Sequence, residues 1–383
     1  MPDVAIIGVG LHPFGRFPGK PALSMAADAA RAALADAGLT WADMQFAVGG
    51  SAEVDQPDAV VAQLGLTGIQ FTNVYNGCAT AGSALALASQ TIRSGQHEIG
   101  LVLGMDKHGR GAFTADPEEY ACPPWYGEMG LFLTTKFFGM KINRYMHDYG
   151  ITHETLARVA AKNYANGSLN PNAYRRTALS PEQILGSRMV NYPLTQYMFC
   201  SPDEGAAAAV VCRAPIARQY TERPVYLRSV AVRTRRYGAY EVHTPATAPS
   251  SAQVPAPTVD ATAAAYEAAG VAPDEIEIAQ LQDTDAGAEI IHMAECGLCK
   301  DGEQNELLAS GATSLRGPLP INTDGGLIAN GEPIGASGLR QLHELVMQLR
   351  GRAGDRQAGN EPKIGVAHLY GAPGVSAVSI VST

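Results

Sequence analysis

The sequence is short of the features that would place it on nucleic acid or in a membrane. Lys and Arg total 28 against 37 Asp and Glu, a formal charge of −9. No Lys/Arg-rich run occurs, so there is no basic footprint for DNA, RNA or an anionic membrane surface. No apolar stretch approaches the roughly 20 residues needed to cross a bilayer. The start, "MPDVAIIGVGLHPFG", has neither the basic flank nor the cleavage site of a secretory leader, and a soluble cytoplasmic protein is expected. Cysteine is sparse, six in 383 residues, irregularly spaced and mostly inside apolar runs. That excludes a disulfide framework and suits a reducing compartment, where a thiol stays free to react. Cys296 and Cys299 form a CxxC with no second pair nearby, so no metal site is expected. Together with Cys122, Cys200 and Cys212 they read as packing residues. A dinucleotide fingerprint is also lacking: Gly8 and Gly10 are present, but Pro13 takes the third glycine's place and no nicotinamide or flavin is implied.

What is present is a chain that repeats itself. At 46% hydrophobic residues it can bury a core in each of two domains. "VAIIGVG" reads as a strand buried on both faces, and "ALSMAADAARAALADAGLT" as an Ala-rich helix stopped by Gly38. "VDATAAAYEAAGVAPDEIEIAQL" repeats this: Asp28 stands ten residues before Gly38, and Asp260 ten before Gly270. "NGCATAGSALALASQTIRSG" and "NGEPIGASGLRQLHELVMQLRG" are a second pair, each running from Asn-Gly through small residues into a helix. Two echoes in the same order predict a duplicated α/β unit, and the alternation of strands and helices predicts mixed or parallel sheets covered on both faces. Residues 106–200 break the rhythm with aromatic and Met-rich segments, and an insertion of this kind caps a site, builds a subunit contact or merely decorates the surface. The Pro/Ser/Ala-rich segment 243–258 is the linker candidate.

Cys78 falls where a strand hands over to the helix beginning near Thr80. Unpaired N–H groups of a first helical turn lower a thiol's pKa and favour the nucleophilic thiolate; equally, a cysteine in an Ala/Gly run can be a small packing group. Under the duplication the residue matching Cys78 is Glu332, a carboxyl that is a cap, a solvated charge or an acid/base group.

"NVYNGCATAGSALALASQTIRSG", "SPDEGAAAAVV", "LCKDGE", "LPINTDGGLIANGEPIGASGLRQLHELVMQLRG" and "GVAHLYGAPGVSAV" together resemble the thiolase superfamily, most closely its sterol-carrier-protein thiolase and bacterial lipid-transfer protein branch. The resemblance implies an α/β thiolase fold: two half-domains of βαβαβαββ type in five αβαβα layers, with an inserted loop domain at about 106–200, usually dimeric. The halves then span 1–242 and 259–383, and Gly8 and Gly10 become a strand-to-loop turn. It also implies that Cys78 is the cysteine that is acylated. The family's Gly-His-Pro motif reads Gly331-Glu332-Pro333 here. The branch's His-Asp-Cys-Phe reads Gln282-Asp283-Thr284-Asp285, and its last motif keeps His368 and adds Tyr370.

Three functions follow. The first is a thiolase-type acyltransferase forming acyl-Cys78 and making or cleaving a carbon–carbon bond in a coenzyme A thioester of lipid or sterol side-chain metabolism. In it His368 activates the thiol, Gln282 donates to the thioester oxygen, and Glu332 donates when protonated or acts as base. The second is a retro-aldolase on a coenzyme A ester, working with a small OB-fold partner, in which Glu332, Asp283, Asp285 and Tyr370 form a proton relay. The third is a non-catalytic acyl-CoA or sterol carrier. Retention of Cys78 ranks the first ahead. Coenzyme A would enter past Ser337 and Gly338 as substrate, and no bound cofactor is implied.

Overall fold

The computed structural model describes residues 3–239, 241, 254–372 and 374–383. Nine strands form one continuous sheet: β1 (Val4–Gly15), β2 (Phe46–Gly50), β3 (Gln70–Val74), β4 (Ile99–Lys107), β7 (Glu204–Arg213), β8 (Val225–Thr234), β9 (Ile278–Gln280), β10 (Ile364–Gly371) and β11 (Val375–Ser382). A separate hairpin pairs β5 (Met189–Asn191) with β6 (Leu194–Thr195). The order in the large sheet is β3-β2-β4-β7-β1-β8-β11-β10-β9.

The duplication is visible in that order. From β1 outward the first half runs antiparallel to β7, antiparallel to β4, then parallel to β2 and β3. From β8 outward the second half runs antiparallel to β11, antiparallel to β10, then parallel to β9, and a parallel bridge from Ala279 to Ile321 stands where a fifth strand would lie. The halves join where Val4, Ala5 and Ile6 pair with Leu227, Tyr226 and Val225.

Side-chain alternation sorts the strands into cores, because successive residues point to opposite faces. Val4 and Ile6 join a central core with Leu85, Ile92, Leu339, Leu342, Leu369 and Ala377, while Ala5 and Ile7 pack with Ala26, Ala30 and Leu34 of the Ala22–Asp36 helix. The Pro257–Ala269 helix covers the second half in the same manner through Ala261 and Ala265 against Val366 and Val378. Helices Thr80–Arg93 and Ile334–Leu349 lie between the two halves and against each other, giving helix, sheet, helix pair, sheet and helix in five layers. The helix pair needs small residues at its crossing. A Cβ on Gly338 would sit 2.9 Å from Ala81 Cβ and 2.4 Å from Leu369 Cδ1.

Two local readings are corrected. Gly8 and Gly10 lie inside β1 rather than at a strand-to-loop turn, and added Cβ atoms would each stand 2.2 Å from the carbonyl oxygens of Ala33 and Ala29. They are glycine because the Ala22–Asp36 helix approaches the strand backbone to contact distance. In the proposed linker, residues 243–253 lie outside the described residues, and 257–258 already belong to the Pro257–Ala269 helix.

The inserted region contributes helices Thr134–Tyr149 and His153–Ser168, which share a core with Ala286 and Ile290 of the Ala286–Glu295 helix. This anchors the insertion to the second half. No described helix is long and apolar enough to cross a membrane.

Candidate active site

Two turns from the two halves meet at one cavity. Cys78 precedes the Thr80–Arg93 helix and Glu332 precedes the Ile334–Leu349 helix. The cavity, about 480 Å³, is lined by both together with Tyr75, Cys200, Thr284 and Tyr370, and the inserted region closes it with Phe113, Tyr120 and Phe138. Burying an aromatic wall over polar groups at its floor is the usual construction of a small-molecule site.

Glu332 is the hub. Its Oε1 accepts from Gln282 Nε2 at 2.8 Å and its Oε2 from Cys200 Sγ at 3.5 Å, and the Cys78 thiol also donates to it. The backbone fixes this carboxyl, since Glu332 N donates to Ser201 O at 2.9 Å. Gly331 before it takes a φ of 92°, and a Cβ there would lie 2.0 Å from Asp203 Oδ2, so only glycine fits. Burial pushes the Glu332 carboxyl above the ordinary range, and the hydrogen bonds it accepts from Cys78 and Cys200 oppose that rise.

Cys78 departs from the sequence expectation. Burial first, then the Glu332 carboxylate, drive its thiol well above the usual value; its own main-chain N–H favours the thiolate and is outweighed. Part of the reason is that the turn's N–H groups are taken. Ala79 N donates to Asn76 O and Thr80 N to Gly77 O. At the second helix the first two donors are also spent, Ile334 N on His108 Nε2 and Gly335 N on Asp106 Oδ2.

His368 is not beside Cys78. On β10, Ala367 and Leu369 face the paired helices while Val366 packs on the opposite side. His368 follows that opposite face, with Nε2 at 3.1 Å from Thr258 Oγ1 and its ring 4.3 Å from that of His292. Burial holds it well below the ordinary histidine pKa, so it is neutral, and it does not line the cavity. Among the described residues no histidine lines that cavity.

The other named residues divide between site and scaffold. Gln282 touches Glu332, with its Oε1 buried and unpartnered. Tyr370 lines the cavity and donates to Glu241. Asp283 caps the Gly326–Asn330 helix, accepting from Leu327 N at 2.6 Å, and Asn163 Nδ2 holds its other oxygen at 2.9 Å. Asp285 caps the Ala286–Glu295 helix through Gly287 N and Ala288 N. These two carboxylates serve helix N-termini and stand outside the relay expected of them. Ser337 and Gly338 are fully inside the helix pair, so neither lines an entry path. Cys200, read from sequence as packing, belongs to the site. Its N donates to Thr284 O at 2.9 Å, which seats it beside the position where the resemblance expects a cysteine.

Glu295 lies behind Tyr370 with His292 and Thr258, and burial drives it to about 7 while its Oε2 has no hydrogen-bond partner among the described residues. A folded-state pKa above the unfolded value of 4.5 favours folding fully below that value, and the contribution is lost as pH rises through about 7. Glu295→Gln is expected to flatten the fall in unfolding free energy across that window in denaturant titrations run at each pH. An unchanged slope would assign the pH dependence to other groups.

Comparison with known proteins adds the following. A family model described as "Thiolase, N-terminal domain" matches residues 4–178, and one described as "Thiolase C-terminal domain-like" matches 240–383. An acetyl-CoA acetyltransferase of Methanothermobacter thermautotrophicus is 33% identical over the whole of both chains. Sterol carrier protein 2 of Oryctolagus cuniculus is 31% identical over 99% of this chain and 72% of its own. Among solved structures, the Ltp2-ChsH2(DUF35) aldolase superposes with a TM-score of 0.85 at 26% identity, covering 99% of this chain and 98% of that one.

Proposed function

The chain belongs to the thiolase family, and from that premise we propose that it is a carbon–carbon lyase of the retro-aldol kind acting on a β-hydroxyacyl coenzyme A thioester, with Glu332 as its base. The observation that carries the proposal is the partner of Cys78, a buried carboxyl where thiolate chemistry calls for an imidazole. A thiol pushed up by burial and by a neighbouring carboxylate rests protonated and is a poor nucleophile. The same surroundings suit a base: burial raises the Glu332 carboxyl above its ordinary pKa and makes it the stronger proton acceptor.

In this reading the substrate's β-hydroxyl faces Glu332. Glu332 removes the hydroxyl proton, the Cα–Cβ bond breaks, and the products are a carbonyl compound and the enolate of a shorter acyl-CoA, which is then protonated at Cα. Gln282 orients the carboxylate, and the wall of Phe113, Tyr120 and Phe138 accommodates a bulky apolar carbonyl fragment. Coenzyme A enters as part of the substrate. The similarity to the Ltp2-ChsH2(DUF35) aldolase supports a partner protein, for which the family resemblance suggests a small OB-fold chain, and the partly exposed outer strand β3 supports a homodimer.

The test pairs two measurements. Incubated with β-hydroxyacyl-CoA thioesters, with and without the OB-fold partner, the protein is expected to release a carbonyl compound and a shorter acyl-CoA, followed by liquid chromatography and mass spectrometry. Intact-mass analysis with acetyl-CoA and longer thioesters is expected to show no adduct. A second reading, acyl transfer through Cys78, is favoured by the position of that thiol at a helix start in the cavity. An adduct that vanishes in Cys78→Ala would install it in place of the first.

A further inference from the structure

The enolate left by carbon–carbon cleavage needs a proton donor, and the cavity offers two thiols that both contact Glu332. They differ in what surrounds them. Cys78 faces the carboxylates of Glu332 and Asp106. Cys200 faces Glu332 from the segment 199–202 and has a guanidinium behind it. Arg175 Nη1 donates to the carbonyl of Phe199 at 2.9 Å and its Nη2 to the hydroxyl of Ser201, the residues on either side of Cys200. Burial, then the carboxylates of Glu332 and Asp283, hold the Cys200 thiol well above its ordinary pKa, so it rests as a proton donor, and the Arg175 charge opposes that rise in favour of the thiolate left after transfer.

The segment is also held on both flanks. Cys200 N donates to Thr284 O, Phe199 bridges to Asp285, and Pro202 bridges to Glu332. The thiol is therefore presented to the cavity at a set position rather than on a free loop. Cys212 and Cys296, also buried, pack within apolar clusters and do not reach the cavity.

We infer that Cys200 is the acid that protonates the α-carbon and that Glu332 restores it. The inference rests on the lyase reading above. The steps balance. Glu332 takes the hydroxyl proton as the oxygen lone pair becomes the new C=O and the Cα–Cβ pair moves into the thioester enolate. The enolate Cα takes the proton of the Cys200 thiol, leaving a thiolate beside Arg175. The protonated Glu332 then returns its proton along the Sγ···Oε2 contact of 3.5 Å. The hydroxyl proton ends on Cys200, the proton that began on Cys200 ends on Cα, and the enzyme returns to its starting state.

The test isolates the protonation step from cleavage. Propionyl-CoA in D2O can only exchange its α-hydrogens, which requires the same enolate and the same acid. Wild-type protein is expected to catalyse deuterium uptake, and Cys200→Ala to slow it by about 100-fold or more. Cys200→Ser, which keeps volume and a hydroxyl of far weaker acidity, should be slow as well. Thermal melts and propionyl-CoA binding by calorimetry, both unmoved, distinguish this from a structural effect. Exchange at the wild-type rate in either folded variant overturns the role of Cys200 and leaves the lyase reading standing. No exchange by wild-type protein overturns the enolate chemistry itself, and this inference with it.

Discussion

Glu332→His is expected to turn Cys78 from a resting thiol into an acylated one. Intact-mass analysis with acetyl-CoA should show one acetyl adduct, abolished by a second substitution Cys78→Ala. Iodoacetamide should alkylate Cys78 at least about tenfold faster than in the parent protein at neutral pH, as expected for a thiol whose pKa a basic neighbour lowers. The reason is the sign of the neighbouring charge. In the parent, burial and the Glu332 carboxylate both oppose the thiolate. An imidazole in the same place accepts the thiol's proton and pairs with the resulting charge. The Gln282 amide, which now points Nε2 at residue 332, turns over in the variant to present Oε1 to the imidazole N–H. Glu332→Gln is the companion: it removes the base but keeps the shape, and carbon–carbon cleavage should fall about 10³-fold. A histidine variant that gains no adduct and alkylates no faster would show that burial alone sets the state of Cys78, and the argument from Glu332 would fail.

The meeting of Cys78 with Glu332 was legible because it follows from the repeat. Matching Asn-Gly turns at 76–77 and 330–331 start matching helices, and a duplicated sheet brings such helix starts together near its axis. What was not legible depends on contacts distant in sequence. Cys200 lies 132 residues from Glu332, in a segment with no helix or strand period of its own, held by bridges to Asp285 and Glu332. Nothing local marks it apart from the other cysteines. His368 was misplaced for a different reason: the alternation of Ala367 and Leu369 toward the core turns it to the opposite face, and strand period alone carries that information. For Asp285, the acidic residue just before "AGAEIIHMAE" is an ordinary N-cap signal. A motif resemblance drew attention to its chemistry when local structure already accounted for it.

The second large effect concerns what holds the two turns together. Asp106, fully buried at the end of β4, is a hydrogen-bond junction between the halves. Its Oδ1 accepts from Ser51 Oγ at 2.6 Å and from Ala52 N and Glu53 N at 2.9 Å, and its Oδ2 accepts from Gly335 N at 2.6 Å. The first three come from the loop after β2 in one half, the last from the start of the Ile334–Leu349 helix in the other. Asp106→Ala leaves the buried Gly335 N without an acceptor, at a cost of about 1–3 kcal/mol, and frees the partly buried N–H groups of Ala52 and Glu53, which water or, for Glu53, Ser51 Oγ takes up at smaller cost. With the buried Ser51 hydroxyl also losing its acceptor, a total loss of about 2–4 kcal/mol is expected, read as a lower denaturant midpoint at unchanged m-value. Asp106→Asn is the sharper variant, because its single carbonyl can serve either the Ser51–Glu53 loop or Gly335 while its NH2 meets donors on the other side. It should recover only part of the stability. In folded Asp106→Asn protein, activity should fall further than midpoint stability explains, because a helix start released at Gly335 lets Glu332, three residues earlier, drift from Cys78. Activity retained in full would mean that Ser201 O and Gln282 hold Glu332 without help from the helix start.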